Sequence, residues 1–139
     1  MRVVLDTNVL LSVLISASGV PNAIYMAWRK AHFDLVTSTQ QLDELRRASR
    51  YPKLKIILPA HRIGAMTNNM QRAIVLDRLF DLPKDVQLND SNDAFLVAMA
   101  LTGEADFLVT GDRRAGLLQL GSAGRAKIVT PADFCAQAL

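Results

Sequence analysis

Arg2-Val3-Val4-Leu5-Asp6-Thr7-Asn8 is an apolar run that ends abruptly in an acid and two polar residues. Phe107-Leu108-Val109-Thr110-Gly111-Asp112 repeats the pattern far downstream. Short apolar runs without polar alternation read as strands buried on both faces, which are characteristic of parallel sheets. Working outward, Phe33–Thr37 and Lys127–Val129 are further strands, and a short one is expected around Val86. Amphipathic stretches lie between them. A helix is predicted over Asn8–Ser16, ending near Ser18-Gly19, and a second begins at Pro21, a residue suited to a first helical turn, and runs to about Ala31. Ser38 caps a third helix carrying Gln41, Leu42, Glu44 and Leu45. Lys53 to Phe80 is helical in character, with Pro59 restarting a long helix whose Ile63, Met66, Met70, Ile74 and Leu76 face the core. Asp90-Ser91-Asn92-Asp93 opens a helix over Ala94–Leu101 that stops at Gly103, and Pro131–Ala138 closes the chain.

Strands alternating with helices argue for a parallel sheet covered on both faces, as one domain of 139 residues. Half of the chain is hydrophobic and 6% aromatic, so the core is built from Leu, Val, Ile and Ala. The single Cys135 excludes an intramolecular disulfide and reads as a buried, inert thiol. The apolar stretch Val9 to Ile15 is too short to span a bilayer, and no secretory signal is legible. The expectation is a soluble, cytoplasmic protein. Sixteen Lys and Arg against thirteen Asp and Glu give a net charge of +3. Arg46, Arg47, Arg50, Lys53 and Lys55 form an acid-free run, read either as a patch for a nucleic-acid backbone or as a solvated helix end.

In open parallel sheets, ligands bind at the carboxyl ends of the strands, near the switch in strand order. Asp6 and Asp112 each follow a buried strand and therefore emerge at the same edge. Glu44, in the helix after the second strand, and Asp93, in the first turn of a later helix, can point back to it. Four carboxylates in one place repel one another unless a cation neutralises them. Oxygen-only ligation suits hard ions such as Mg²⁺ or Mn²⁺, which activate water and offset phosphoryl charge. Thr7, Asn8 and Thr110 adjoin these acids and are placed to orient a carboxylate or a bound water. Each acid also has a plainer explanation: Asp6 as a helix cap, Glu44 on a solvated face beside Arg47, Asp93 at a helix start, Asp112 in a Gly-Asp turn. Those explanations do not account for acids at the exits of two buried strands. His32 and His61 lack a nucleophile signature and read as structural or surface residues.

Four segments carry a resemblance: Val3 to Leu10, Thr37-Ser38 through Leu42-Asp43-Glu44-Leu45, Asp90 to Leu96, and Ala105 to Asp112. In order and spacing they resemble the PIN-domain family of metal-dependent nucleases, specifically the small single-domain toxins of toxin–antitoxin systems (VapC-like ribonucleases). Thr130-Pro131-Ala132-Asp133-Phe134 is similar to the terminal segment of these members. The resemblance implies a three-layer α/β/α sandwich with a mostly parallel central sheet. It also implies Mg²⁺ or Mn²⁺ dependence, RNA cleavage, homodimers and a cognate antitoxin lying over the active groove. Asp6, Glu44, Asp93 and Asp112 fall on the family's metal-site acids. Many relatives have consecutive acids in the third segment, whereas Asn92 precedes Asp93 here, leaving Asp90 as a reserve ligand. Asp106 recurs in the family's pattern but precedes its strand, so a turn or capping role at the opposite edge is expected.

Three other readings share this layout. A receiver-like phospho-acceptor domain wants an acidic pair after the first strand and a Lys after the last, and the sequence has Leu5-Asp6 and Thr130-Pro131. An aspartate-nucleophile phosphatase wants an acid two residues after the first, where Asn8 stands. A PIN-fold module that binds RNA or protein without cutting is separated from the nuclease only by assay.

Overall fold

The computed structural model describes residues 1–48, 50–58, 60–84, 86, 88, 91–111 and 116–139. Its centre is a six-stranded sheet of order β3-β2-β1-β4-β6-β5. Strands β1 (Arg2–Leu5), β2 (Asp34–Ser38), β3 (Ile74–Leu76), β4 (Phe107–Val109) and β6 (Ala126–Val129) are parallel, and β5 (Ser122–Ala123) joins β6 antiparallel at the edge. The register sets Val4 beside Val36 on one side and beside Leu108 on the other.

The strands bury both faces because successive side chains alternate and both sets are apolar. Val3, Leu5, Leu35, Val109 and Val129 join one core; Val4, Val36, Leu108 and Ile128 join the other. The first core is covered by α1 (Thr7–Ile15), α2 (Val20–Arg29), α3 (Thr39–Ala48), α5 (Ala60–Met70) and α8 (Pro131–Ala138). The second is covered by α6 (Ser91–Thr102) and α7 (Leu117–Leu120). The result is the expected α/β/α sandwich. Among the described residues no single helix is long and apolar enough to cross a membrane.

Two local expectations are corrected, and one element was not anticipated. The long helix from Pro59 toward Phe80 is instead α4 (Pro52–Lys55), α5 and then β3; Pro59 itself lies outside the described residues. Turn bonds at Gln71, Arg72 and Ala73 end α5, and Ile74–Leu76 pairs with Val36–Ser38. A helical phase carried across Met70 into Ile74 hid this edge strand. Val86 is not in a strand: its N–H donates to Pro83 O at 3.0 Å in a turn, and its side chain packs against the second core. The β5–β6 hairpin, turning at Gly124 with φ +58°, has too short an apolar run to read in advance.

Gly103 does end α6, for a different reason from the one expected. The left-handed residue is Glu104, at φ 50°. A Cβ on Gly103 would stand 2.7 Å from Val36 Cγ1 and 3.1 Å from Met99 O, so glycine serves close packing of α6 on β2 there.

Candidate metal centre

The sheet reverses its strand order at β1, whose neighbours are β2 and β4. Asp6 stands at the carboxyl end of that central strand, and its N–H continues the β1–β4 pairing by donating to Val109 O at 2.9 Å. The side chain is 6% exposed and held at both oxygens. Oδ1 accepts from Asn8 N at 3.1 Å as the cap of α1, and Oδ2 accepts from the Thr110 hydroxyl at 2.7 Å. The capping role and a role in the site are thus compatible in one carboxylate: the cap uses one oxygen. Thr110, fully buried after β4, fixes the other.

Glu44 comes from the middle of α3, and Asp93, 4% exposed, from the first turn of α6. Asp6, Thr7, Asn8, Glu44, Asn92, Asp93, Phe95 and Leu96 line one cavity of about 60 Å³. Among the described residues its lining includes three acids and no Lys or Arg. Asp112 and Asp90 lie outside the described residues. Thr7 is buried and its hydroxyl points to Glu44 Oε2 at 3.5 Å; Asn8 is exposed at the cavity's rim. His32 and His61 are exposed and do not line the cavity.

Burial first, and the neighbouring Asp6 carboxylate second, push the Glu44 pKa above the ordinary carboxylate range; the Thr7 hydroxyl and Arg47 act in the opposite sense. A raised folded value means the folded chain binds the proton more tightly than the unfolded chain. Stability therefore falls as pH rises from the ordinary carboxylate range through the raised value. Metal-free Glu44→Gln is expected to melt above the wild type near neutral pH, and the difference should close below about pH 4, where both states of the wild type are protonated. Thermal melts in chelator across that range test this, and a variant melting lower at neutral pH would contradict it.

The described donor set suits a hard divalent cation: oxygen ligands only, like charges brought together, and no basic side chain among the described lining residues. Among the described residues no three His, Cys, Asp or Glu side chains converge into a complete ligand set. The three acids share a cavity without closing on a common point.

Two residues that the sequence reading did not assign to the site are also placed by the fold, one beneath the cavity and one far from it. Gln41 is fully buried on the sheet side of α3, in line with Leu45 and Ala48. Its Oε1 accepts from the Thr37 hydroxyl at 2.7 Å, and its Nε2 donates to Leu5 O at 2.8 Å and to Thr7 Oγ1 at 3.4 Å. The available signal was a glutamine at i, i+4, i+7 spacing with apolar residues. Asp106 lies at the opposite edge of the sheet, as expected, where it accepts from Arg2 N at 2.8 Å and pairs with Arg125 at 2.8 Å. The Arg2 N–H, then Arg125 and the N-terminal charge, hold its pKa below the ordinary range against the effect of burial.

Arg46 and Arg47 lie in the last turn of α3, and Arg50, Lys53 and Lys55 follow; all five are exposed. Arg46 makes a surface ion pair with Asp43 at 3.2 Å, a kind of interaction that contributes little to stability.

A family profile described as PIN domain matches residues 2–114. No curated protein matches the chain. Among solved structures, a chain in the crystal structure of VapBC2 from Rickettsia felis, bound to a DNA fragment from their promoter, is similar in fold. It has a TM-score of 0.62 and 15% identity, with 94% of this chain and 98% of that one covered.

Proposed function

The chain belongs to the PIN-domain family, and from that premise we propose that it is a metal-dependent endoribonuclease, the toxin of a toxin–antitoxin pair. The observation that carries the reading is that Asp6, Glu44 and Asp93 line one cavity, with no basic residue among the described residues of its lining, at the carboxyl end of the central strand. Asp6, Glu44 and Asp93 would hold Mg²⁺ or Mn²⁺, with Asp112 as the fourth acid and Asp90 in reserve. The chemistry such an ion supplies when bound is activation of water and neutralisation of charge on phosphoryl oxygens.

The chain's own groups do the rest. Thr110 and the Asn8 N–H keep Asp6 in one rotamer, so its carboxylate needs little reorganisation to act. Thr7 donates toward Glu44, and Asn8, exposed at the rim, is placed to orient a bound water or a substrate oxygen. Phe95 and Leu96 complete the cavity's lining beside the acids. RNA as substrate, a cognate antitoxin, a homodimer and a cytoplasmic setting are the further parts of the proposal. The architecture shared with a VapBC2 chain is consistent with the antitoxin partner.

Cleavage of labelled RNA with Mn²⁺ and with chelator, by wild type and Asp6→Asn, tests the reading. Metal-independent cleavage would overturn it. Asn92 lines the cavity beside Asp93, where a second acid would strengthen metal binding. That observation favours the alternative of a weak or inactive PIN-fold module that binds RNA or protein, and absence of cleavage on every RNA offered would select it.

Arg46, Arg47, Arg50, Lys53 and Lys55 are proposed to follow the nucleic-acid backbone. If so, neutralising them lowers RNA affinity and flattens its salt dependence, by about 0.7 in the log–log slope for each single-strand phosphate no longer neutralised. Filter binding across a salt series measures this. An unchanged slope would return the segment to a merely solvated surface.

A further inference from the structure

We infer that Gln41 is a positioning residue for the acid cavity, its buried amide fixing the spacing of Asp6 and Glu44 by tying α3 to the end of β1. The inference rests on the metal-site reading above and adds a residue to it that touches no ion.

A glutamine facing a sheet from a helix loses hydration that leucine would not miss, so it is tolerated only when its polar atoms are matched. Here both ends of the amide are matched. The Thr37 hydroxyl donates to Oε1, which settles the orientation of the amide and turns both Nε2 hydrogens the other way. One goes to Leu5 O, the carbonyl immediately before Asp6. The other reaches Thr7 Oγ1, the residue immediately after it. Gln41 therefore grips the backbone on one side of Asp6 and a side chain on the other.

The direction of these bonds has a second effect. A hydroxyl has a single hydrogen. With Nε2 donating into Thr7 Oγ1, the Thr7 hydrogen is left to point at Glu44 Oε2. Glu44 lies three residues after Gln41, on the same helix. One amide thus sets the position of α3 against β1 and presents a donor to the carboxylate that α3 carries. All three residues of the relay, Thr37, Gln41 and Thr7, are buried, so water cannot readily substitute for them.

Mn²⁺ binding to the metal-free chain, followed by titration calorimetry alongside melting in chelator, tests the role without relying on activity. Gln41→Met, close in size and without the amide, should weaken Mn²⁺ binding by about 10-fold or more, the range seen when partners of metal ligands are removed. Thr37→Val, which keeps the bond to Leu5 O, should give a smaller loss in the same direction, and it carries the test if Gln41→Met does not fold. Leu45→Ala, on the same buried face, should lose stability while keeping its Mn²⁺ affinity. Wild-type affinity in folded Gln41→Met or, should that variant not fold, in Thr37→Val overturns the role of Gln41 and leaves the metal site standing. Equal losses in Gln41→Met and Leu45→Ala reduce Gln41 to a packing residue. A wild-type chain that binds no Mn²⁺, or that binds it as well after Asp6→Asn, overturns the metal reading and this inference with it.

Discussion

Asp6→Asn is expected to remove metal-dependent cleavage while leaving the fold in place. Asparagine caps a helix as well as aspartate does, so the bond from Asn8 N to the side chain survives. The Thr110 hydroxyl, now facing an amide group, can rotate to accept where it formerly donated. What changes is the charge. With Asp6 neutral, Glu44 and Asp93 remain as the cavity's described carboxylates, and an ion bound there would lose an acid whose two oxygens are both held by hydrogen bonds. A loss of roughly 4 kcal/mol of charge stabilisation corresponds to about a thousandfold drop in rate. Because Asp6 is one of the causes of Glu44's raised pKa, the metal-free variant should melt no lower than the wild type. Cleavage assays and melts in chelator report the two halves separately. Persistent cleavage by a folded variant would remove Asp6 from the mechanism.

The largest effect on stability is expected at Phe134→Ala. Phe134 is fully buried in α8 and meets two rings edge-on: Phe33 at 5.6 Å and Phe107 at 5.2 Å between centroids. It therefore joins α8 to β4 and to the turn before β2. Truncating a buried phenylalanine to alanine costs about 3–5 kcal/mol, because the ring's burial is forfeited and the surroundings collapse only in part. Against a total stability of about 5–15 kcal/mol, that is a large share. Urea unfolding should show a lower midpoint at an unchanged slope. A midpoint shift corresponding to less than about 1 kcal/mol would mean that the neighbouring rings repack around the gap. Phe134 is not among the residues lining the acid cavity, so Mn²⁺ affinity of the folded fraction should hold.

These two residues also show what the sequence could and could not disclose. Asp6 was legible because three apolar residues with no polar interruption place it at a strand's exit, and the sheet then dictates the edge at which it emerges. The same logic applies to Thr110, though not to its bond with Asp6, which depends on the β1–β4 register. Glu44 and Asp93 sit on helices, where rotation decides what they face, and their convergence with Asp6 needed the packed structure. β3 escaped notice because Ile74 continues the helical phase of Ile63, Met66 and Met70, so that only the turn at residues 71–73 breaks it. Gln41 escaped because a polar residue on an amphipathic helix is assigned to solvent by default. The expected helix stop at Gly103 was right in place and wrong in cause, since a close approach to Val36 cannot be seen from local sequence.

The starting points of α1 and α6 have an electrostatic consequence. Thr7 begins α1 and Ser91 begins α6, and both first turns contribute residues to the acid cavity. The aligned peptide dipoles of a helix place the equivalent of about half a positive charge at its start. Two such ends beside three carboxylates soften the local field without supplying a mobile counter-ion. The acids can then sit together in the apo chain at a lower energetic cost than their number suggests, and a phosphate approaching the cavity meets a less repulsive surface than a count of charges implies.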